Sequence, residues 1–168
     1  MQRSATAAGY DADFALWVQD QAAALRDGRL GDVDAVKVAE EIEALVSSNR
    51  REIGRRLTLA AMHLLKLEFQ PEKKTRSWIS TIRVQTRDVE RILKESPSLR
   101  REMPAFIAEA YADARQDASD ETGLPIVTFP KTQTPEFERA LRAALAGEDF
   151  ESEMRAPDVG PRAREETA

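Results

Sequence analysis

The chain has 168 residues, of which 42% are hydrophobic and 33% charged, with seven Gly and eight Pro. This composition is typical of a helix-rich globular protein with one domain rather than of a disordered chain. Cysteine is absent, which excludes disulfides, thiol nucleophiles and cysteine-ligated metals. No stretch approaches the roughly 20 apolar residues that cross a bilayer, and the first residues lack a secretion signal. We therefore expect a soluble, cytoplasmic protein with no membrane partner.

Charge is unevenly distributed along the chain. The formal net charge of -5 combines -5 in residues 1–49, +8 in residues 50–101 and -8 in residues 102–168. A basic middle between acidic flanks favours either a face that binds a polyanion or neutralisation inside a bundle, where acidic helices lie against basic ones. Internal neutralisation is the simpler interpretation.

Helical periodicity predicts a first helix that begins near Asp11, which is a good N-cap residue. The helix ends at the turn "DGRLGD", where Gly28 is available for the left-handed cap conformation. Its apolar stripe, which we expect to face the core, consists of Phe14, Trp17, Val18, Ala22 and Leu25.

A second, long helix is predicted from about Val33 to Glu68, because no proline intervenes. With a rise of about 1.5 Å per residue, it is about 50 Å long. Steps of three and four between its apolar residues resemble a coiled-coil seam, so a homodimer through this helix is one hypothesis. Gly54 permits a bend or break. The seam residues are Ala35, Ala39, Ile42, Val46, Ile53, Leu57, Ala60, Leu64 and Leu67.

Prolines separate the following helices. Pro71 ends the second helix because it lacks an amide donor and disfavours helical angles at the residue before it. A third helix is predicted over residues 77–94. A fourth begins at Pro97, with a kink or fresh start at Pro104, and ends at a cap on Gly123. The residues expected to be buried are Trp78, Ile82, Gln85, Val89 and Ile92 or Leu93 in the third helix, and Phe106, Ile107, Ala110, Tyr111, Ala114 and Ala118 in the fourth.

A short fifth helix begins at Thr134 and Pro135 and ends at Gly147. The one strand-like run, "LPIVTF", has no partner segment, and we expect a packed extended loop there. The predicted fold class is therefore all-α: an up-and-down helical bundle of four main helices with a long second helix, plus a short C-terminal helix.

This pattern also predicts the domain organisation. Residues 10–149 form a single helical-bundle domain, and residues 1–9 form a flexible N-terminus. Residues 150–168 are expected to be a disordered charged tail.

Several blocks of sequence in a fixed order resemble a known bacterial family. The blocks are "YDADFALWVQDQAAALRDGRL", "AEEIEALVSSNRREI", "HLLKLEFQPEKKTRSW", "STIRVQTRDVERIL", "SPSL", "EAYADAR" and "ETGLP". Over residues 10–125 the chain is similar to the family called domain of unknown function 29. The resemblance implies an all-α domain, mainly a small stand-alone protein, with no established activity to transfer. The family has an aromatic residue at the position of Leu67 and commonly a glycine at that of Val46, so a pocket shaped by that aromatic and Trp78 would be altered here.

The only histidine, His63, lies near the predicted end of the second helix. If the fourth helix returns beside this end, the bundle gathers a candidate binding site of His63, Lys66, Gln70, Arg76 and Trp78, with Asp113, Asp117 or Glu121 as a carboxylate partner. A histidine with a carboxylate is the minimum for general acid–base catalysis, so His63 is a weak candidate for a catalytic residue.

A structural role for His63 is the favoured interpretation. In that interpretation its ring hydrogen-bonds a loop carbonyl, and Trp78 belongs to the core. The sequence contains no HExxH motif, nucleophile elbow or glycine-rich phosphate loop, so no cofactor is expected.

Three acidic residues of the second helix, Glu40, Glu41 and Glu43, do not predict a metal centre. A di-metal site of the helical-bundle type needs a histidine three residues after a glutamate, and none follows here. His63 lies about 33 Å from Glu41 along a straight helix, so one metal cannot join them within that helix. We interpret these glutamates as a solvated face and expect no metal.

Basic residues recur at steps of four on the third helix. Arg83, Arg87 and Arg91 share one face, and with Lys73, Lys74 and Arg76 they form a basic ridge from Lys73 to Arg91 that could meet phosphates. The acidic charge of the whole chain and the scarcity of aromatic residues there argue against nucleic acid. Asp88 and Glu95 can also pair with Arg91 within the helix.

Three functions fit this sequence. The first is a non-catalytic protein-interaction module, adaptor or antitoxin-like, with an unknown protein partner, because catalytic signatures are absent and a flexible tail can order on binding. The second is nucleic-acid association through the basic ridge, which predicts a strong salt dependence. The third is a hydrolase or nuclease-like enzyme centred on His63.

Overall fold

The structure, a computed structural model, describes residues 9–154, which form five α-helices and no β-strand. Short 3₁₀ segments at Leu30–Asp32, Pro71–Lys73, Pro97–Glu102 and Ile126–Thr128 connect them. The all-α class, the long second helix and the short C-terminal helix are confirmed. The helices are α1 (Phe14–Arg26), α2 (Ala35–Phe69), α3 (Arg76–Glu95), α4 (Met103–Thr122) and α5 (Pro135–Ala146).

Local side-chain chemistry sets the ends of several helices. The N-cap of α1 is Asp13 rather than Asp11, because the Asp13 carboxylate accepts a hydrogen bond of 3.0 Å from the Leu16 amide. Gly123 and Gly147 end α4 and α5 in the left-handed conformation, with φ of 72° and 75°. Both glycine caps are as predicted, since a residue with a Cβ is strained at these angles.

The start of α4 differs from the prediction. Pro97 opens a 3₁₀ segment, Pro97–Glu102, and not the α-helix itself, which begins at Met103. Pro104 lies in the first turn of α4, where a missing amide donor costs no intrahelical hydrogen bond. The fresh start at Pro104 is therefore confirmed.

The chain divides into two compact units at residues 48 and 49, inside α2. We call described residues 9–48 the N-terminal hairpin, because α1 and the first part of α2 run antiparallel. The Tyr10 hydroxyl donates to Glu41, and the Asp34 amide donates to the Gln21 side chain at 2.7 Å. Only three residues of this hairpin are buried: Trp17, Gln21 and Ala24.

The C-terminal unit, described over residues 49–154, contains the main hydrophobic core. Side chains from the rest of α2, from α3, α4 and α5 and from the α4–α5 loop meet there. Each fully buried large side chain stabilises the fold by roughly 1.5–3 kcal/mol. The largest of them are Phe129, Phe137, Phe150, Ile53, Leu57, Leu64, Leu65, Ile82, Leu93, Leu99 and Val89.

The "LPIVTF" run is a packed loop, as expected, with a 3₁₀ turn in place of a strand. Phe129 at its end is buried in the core. The Tyr111 hydroxyl of α4 donates to the Pro130 carbonyl at 3.0 Å and to the Thr132 carbonyl at 3.1 Å, and Arg115 donates to the Phe129 carbonyl. These side chains satisfy carbonyls that have no partner within a helix or sheet.

The C-terminal tail was expected to begin at residue 150. Phe150 is instead buried, and residues 151–154 form a turn that follows it. The remainder of the expected tail, residues 155–168, and residues 1–8 of the expected flexible N-terminus lie outside the described residues. The single domain and the four-helix up-and-down arrangement stay predictions.

Candidate functional site

His63 lies on α2 with its ring half-buried, and the ring centroid is 6.2 Å from that of Trp78. Its Nδ1 atom is buried and has no hydrogen-bond partner within the described part of the chain, so the loop carbonyl expected for a structural role is not provided there. Burial lowers the pKa of the imidazole, and the charge of Lys66 lowers it further, while Glu121 acts in the opposite direction. His63 is therefore mainly neutral at pH 7.

Beside His63, the ammonium of Lys66 contacts both Glu121 and the ring of Trp78. The buried Lys66 ammonium lies 2.5 Å from a carboxylate oxygen of Glu121 and 4.4 Å from the centroid of the Trp78 ring. A cation that leaves water is stabilised by both a carboxylate and an aromatic face. The expected carboxylate partner from α4 is thus present, but it binds Lys66 rather than the histidine.

Other residues of the predicted site differ in their exposure and surroundings. Gln70 is buried just after α2, whereas Arg76 is exposed at the start of α3. Asp113 and Asp117 line a different groove, which they share with Arg56. The structure therefore brings together His63, Lys66, Trp78 and Glu121, whereas Asp113 and Asp117 line a different groove.

Glu68 is a half-buried titratable group that sequence reasoning missed. One carboxylate oxygen accepts a hydrogen bond of 2.7 Å from the Thr134 hydroxyl, and the other is buried without a partner in the described residues. Burial raises the pKa of Glu68, the Thr134 hydrogen bond lowers it, and Glu136 raises it. Only the spatial meeting of α2 with the start of α5 reveals this environment.

The basic ridge is exposed along α3. The Arg87 side chain is 74% exposed, and its guanidinium, like that of Arg91, is nearly 4 Å from Asp88 (3.9 and 3.8 Å). Asp88 binds Arg56 more closely, at 2.8 Å. Arg83 is paired with Glu151. Arg87 and Arg91 thus have weaker acidic contacts than Arg83.

Acidic residues from the C-terminal stretch neutralise part of the basic middle. Arg50 binds Glu102, and Lys66 binds Glu121. Lys74 and Arg83 both bind Glu151. These contacts support the interpretation of internal pairing for four cations of the middle stretch.

A groove between α3 and α5 extends the ridge with three cations that were not singled out from the sequence. The groove has a volume of about 870 Å³. Its acidic lining residues are Glu90, which pairs with Arg100 at 2.7 Å, and Glu148. Its basic lining residues are Arg83, Arg87, Arg91, Lys94, Arg100 and Arg142.

The N-terminal hairpin presents the most apolar surface in the described structure. Phe14 is 48% exposed, Ile42 60% and Leu45 67%. Among residues 9–154, nine of the twelve exposed large hydrophobic residues belong to this hairpin: Phe14, Leu16, Val18, Leu25, Leu30, Val36, Ile42, Leu45 and Val46. The stripe predicted to face the core is therefore mostly open, and only Trp17 of its large members is buried.

An apolar groove runs between the two helices of the hairpin, with a volume of about 370 Å³. Its polar lining side chains are Gln21 and Glu41. The other lining residues are Phe14, Trp17, Val18, Ala22, Leu25, Val38, Ile42 and Leu45. We call this feature the hairpin groove.

Within residues 9–154, no three side chains of the metal-binding types come together in a way that could hold a metal ion. No helix of that part of the chain has both the length and the apolar character to cross a membrane.

These features define an all-α helical protein with an open apolar groove and a separate basic ridge. The chain belongs to the family described as domain of unknown function DUF29, whose model matches residues 10–145. The match extends the resemblance through α5 and names no activity. Comparison with curated proteins and with solved structures gives no match.

Proposed function

We propose that this protein is a non-catalytic protein-interaction module, adaptor or antitoxin-like, that acts in the cytoplasm and binds its partner through the N-terminal hairpin. The observation that carries this proposal is the concentration of exposed apolar side chains there. Proteins that act alone rarely expose large contiguous apolar patches, and such patches are typical of binding surfaces. A partner that covers Phe14, Ile42 and Leu45 would remove this surface from water.

The test is quantitative co-purification from the native host at moderate and high salt. We compare the wild type with a double variant, Ile42→Ser/Leu45→Ser, and with a control, Val127→Ser. Val127 is 86% exposed in the C-terminal unit, so its substitution removes a similar apolar side chain from a different surface.

We expect one protein to co-purify stoichiometrically with the wild type and the control at both salt concentrations, and to be lost from the double variant. Retention by the double variant would contradict the proposed surface. The absence of any stoichiometric protein partner would contradict the interaction module itself.

Nucleic-acid association through the basic ridge is the second candidate function. The exposure of Arg87 and Arg91 and the six cations of the α3–α5 groove favour it. Labelled DNA or RNA should shift at low salt and be released as salt rises. The reason is that the protein's cationic side chains release counterions condensed on the nucleic acid, and this release becomes less favourable at high salt. Substitution of Arg83, Arg87 and Arg91 with Gln should abolish the shift, and Arg51→Gln, outside the ridge, should preserve it.

A hydrolase or nuclease-like enzyme centred on His63 has less support. The unpartnered Nδ1 and the nearby carboxylate of Glu121 favour it, but that carboxylate binds Lys66. The ring is half-buried, and His63 lines none of the grooves described above. A substrate screen in which His63→Gln loses activity and retains the wild-type fold would establish this function instead.

A further inference from the structure

The hairpin groove has a shape and a charge that favour one class of occupant. We propose that it binds a single amphipathic helix of another protein, with an apolar face that enters the groove and cationic residues along the edges of that face. This inference rests on the proposed function, since it specifies the partner for the same surface.

The shape of the groove matches a helix. Two antiparallel helices flank it, and the lining residues of α1 recur at steps of three and four from Phe14 to Leu25. That row spans about 17 Å at a rise of about 1.5 Å per residue, which is roughly three helical turns. A third helix can place its own residues at similar spacing between the two rows, as in helix-in-groove recognition.

The lining requires an apolar face on the occupant. Eight of the ten lining side chains are hydrophobic. The side-chain oxygen of Gln21, one of the two polar ones, accepts a hydrogen bond from the Asp34 amide. An occupant with polar groups facing the groove would leave them desolvated and unpaired, which is costly.

The negative charge of the hairpin favours cationic residues along the edges of the apolar face. Described residues 9–48 contain three Lys or Arg and nine Asp or Glu, a net charge of -6. Two of the three cations, Arg29 and Lys37, already bind acidic residues of the hairpin. Glu41 lies in the lining itself, where it accepts a hydrogen bond from Tyr10. Positive residues that flank the apolar face of an incoming helix would meet this acidic surface.

The same charge disfavours a second copy of the chain as the occupant. A symmetric dimer through the hairpin would bring together two surfaces that each carry a net charge of -6. Like charges placed opposite each other weaken association, which disfavours this pairing of two copies. A homodimer is therefore an outcome of the test and not the proposal.

The experiment measures binding of a fluorescent peptide to the full-length protein by anisotropy. The probe is a synthetic 18-residue helix of leucine and lysine with all its leucines on one face. One control peptide replaces every lysine with glutamate. A second has the same composition in a scrambled order, which removes the apolar face.

We expect the leucine–lysine helix to bind, and both control peptides to bind at least about tenfold more weakly. Ile42→Ser/Leu45→Ser should weaken binding about tenfold through lost apolar contact, and Glu41→Lys should weaken it through charge. Val127→Ser should leave it unchanged. Circular dichroism checks the helix content of every variant, and the double variant should keep the native content because Ile42 and Leu45 are largely exposed.

Equal binding of the glutamate or scrambled peptide, or unchanged binding to the double variant, would overturn the inference. Light scattering that shows a dimer for the wild type and a monomer for the double variant would also overturn it, in favour of a second copy. If the peptide fails but the native partner still depends on Ile42 and Leu45, only the partner's chemistry is wrong. If neither peptide binding nor co-purification of the native partner depends on Ile42 and Leu45, the proposed function fails as well.

Discussion

The N-terminal hairpin and the C-terminal unit are made from similar amphipathic helices, yet they bury their apolar residues to different extents. Along the seam of α2, Leu57 and Leu64 are almost completely buried, whereas Ile42 is 60% and Val46 43% exposed. One repeat on one helix therefore produces a core in the C-terminal unit and an open surface in the hairpin. Periodicity identifies the apolar face of a helix, and the neighbours around it decide whether that face is buried.

This difference in burial suggests a stabilising role for the C-terminal unit and a binding role for the hairpin. Four helices and a loop contribute side chains to the core of the C-terminal unit. This buried apolar core stabilises the unit. The hairpin has three buried residues and a helix of only 13 residues in α1. Helices of this length are marginal alone, and binding regions are commonly drawn from the least stable parts of a protein.

The largest expected contrast is between two phenylalanines, one in each unit. Phe137→Ala should lower the free energy of unfolding by about 3–5 kcal/mol, because Phe137 is completely buried and its removal leaves a cavity. Phe14→Ala should cost less than about 1 kcal/mol, since half of this side chain is already in water. Urea unfolding followed by circular dichroism measures both, and equal costs would contradict the contrast.

A smaller contrast concerns ion pairs. Glu121→Gln should cost about 1.5 kcal/mol, because the ammonium of Lys66 stays buried and loses its charged partner. This loss in the free energy of unfolding is smaller than for a fully buried ion pair because half of the Glu121 side chain is exposed. Glu40→Gln, which breaks the exposed pair with Lys37 in the hairpin, is the matched control and should leave the urea midpoint unchanged.

The smallest effect is the pH dependence of stability that Glu68 of the C-terminal unit should produce. Because burial raises the pKa of Glu68, its protonated form stabilises the fold below the unfolded-state pKa, and this contribution is lost as pH rises through the folded-state pKa. Glu68→Gln should therefore gain stability relative to the wild type between pH 4 and pH 7. Thermal unfolding at the two pH values measures this difference, and a loss over the same interval would show that burial does not dominate.

The helices and their caps could be predicted because they depend on residues close together in the chain. Gly123 and Gly147 cap helices where the sequence places them, and Pro104 marks the start of α4. Asp13 displaced Asp11 as N-cap because two acidic residues stand two positions apart, and only the geometry decides which one meets the Leu16 amide.

The candidate site was predicted less completely because it depends on contacts between distant residues. Glu121 was one of three carboxylates considered, but its binding to Lys66 depends on how α2 and α4 pack. Glu68 had no signal in the sequence, since its hydrogen-bond donor, Thr134, is 66 positions away. The hairpin groove was missed because its residues have the same pattern as core residues.

The boundary between the two units falls within α2, a helix that continues from Ala35 to Phe69. Domain boundaries usually fall in flexible linkers, which proteases cut and which recombination can use to exchange domains. Here the boundary backbone is hydrogen-bonded within a helix, so neither route is open without breaking that helix. The hairpin therefore cannot be separated from the C-terminal unit without cutting α2, and a fragment ending at residue 48 would lose the helical turn that follows it.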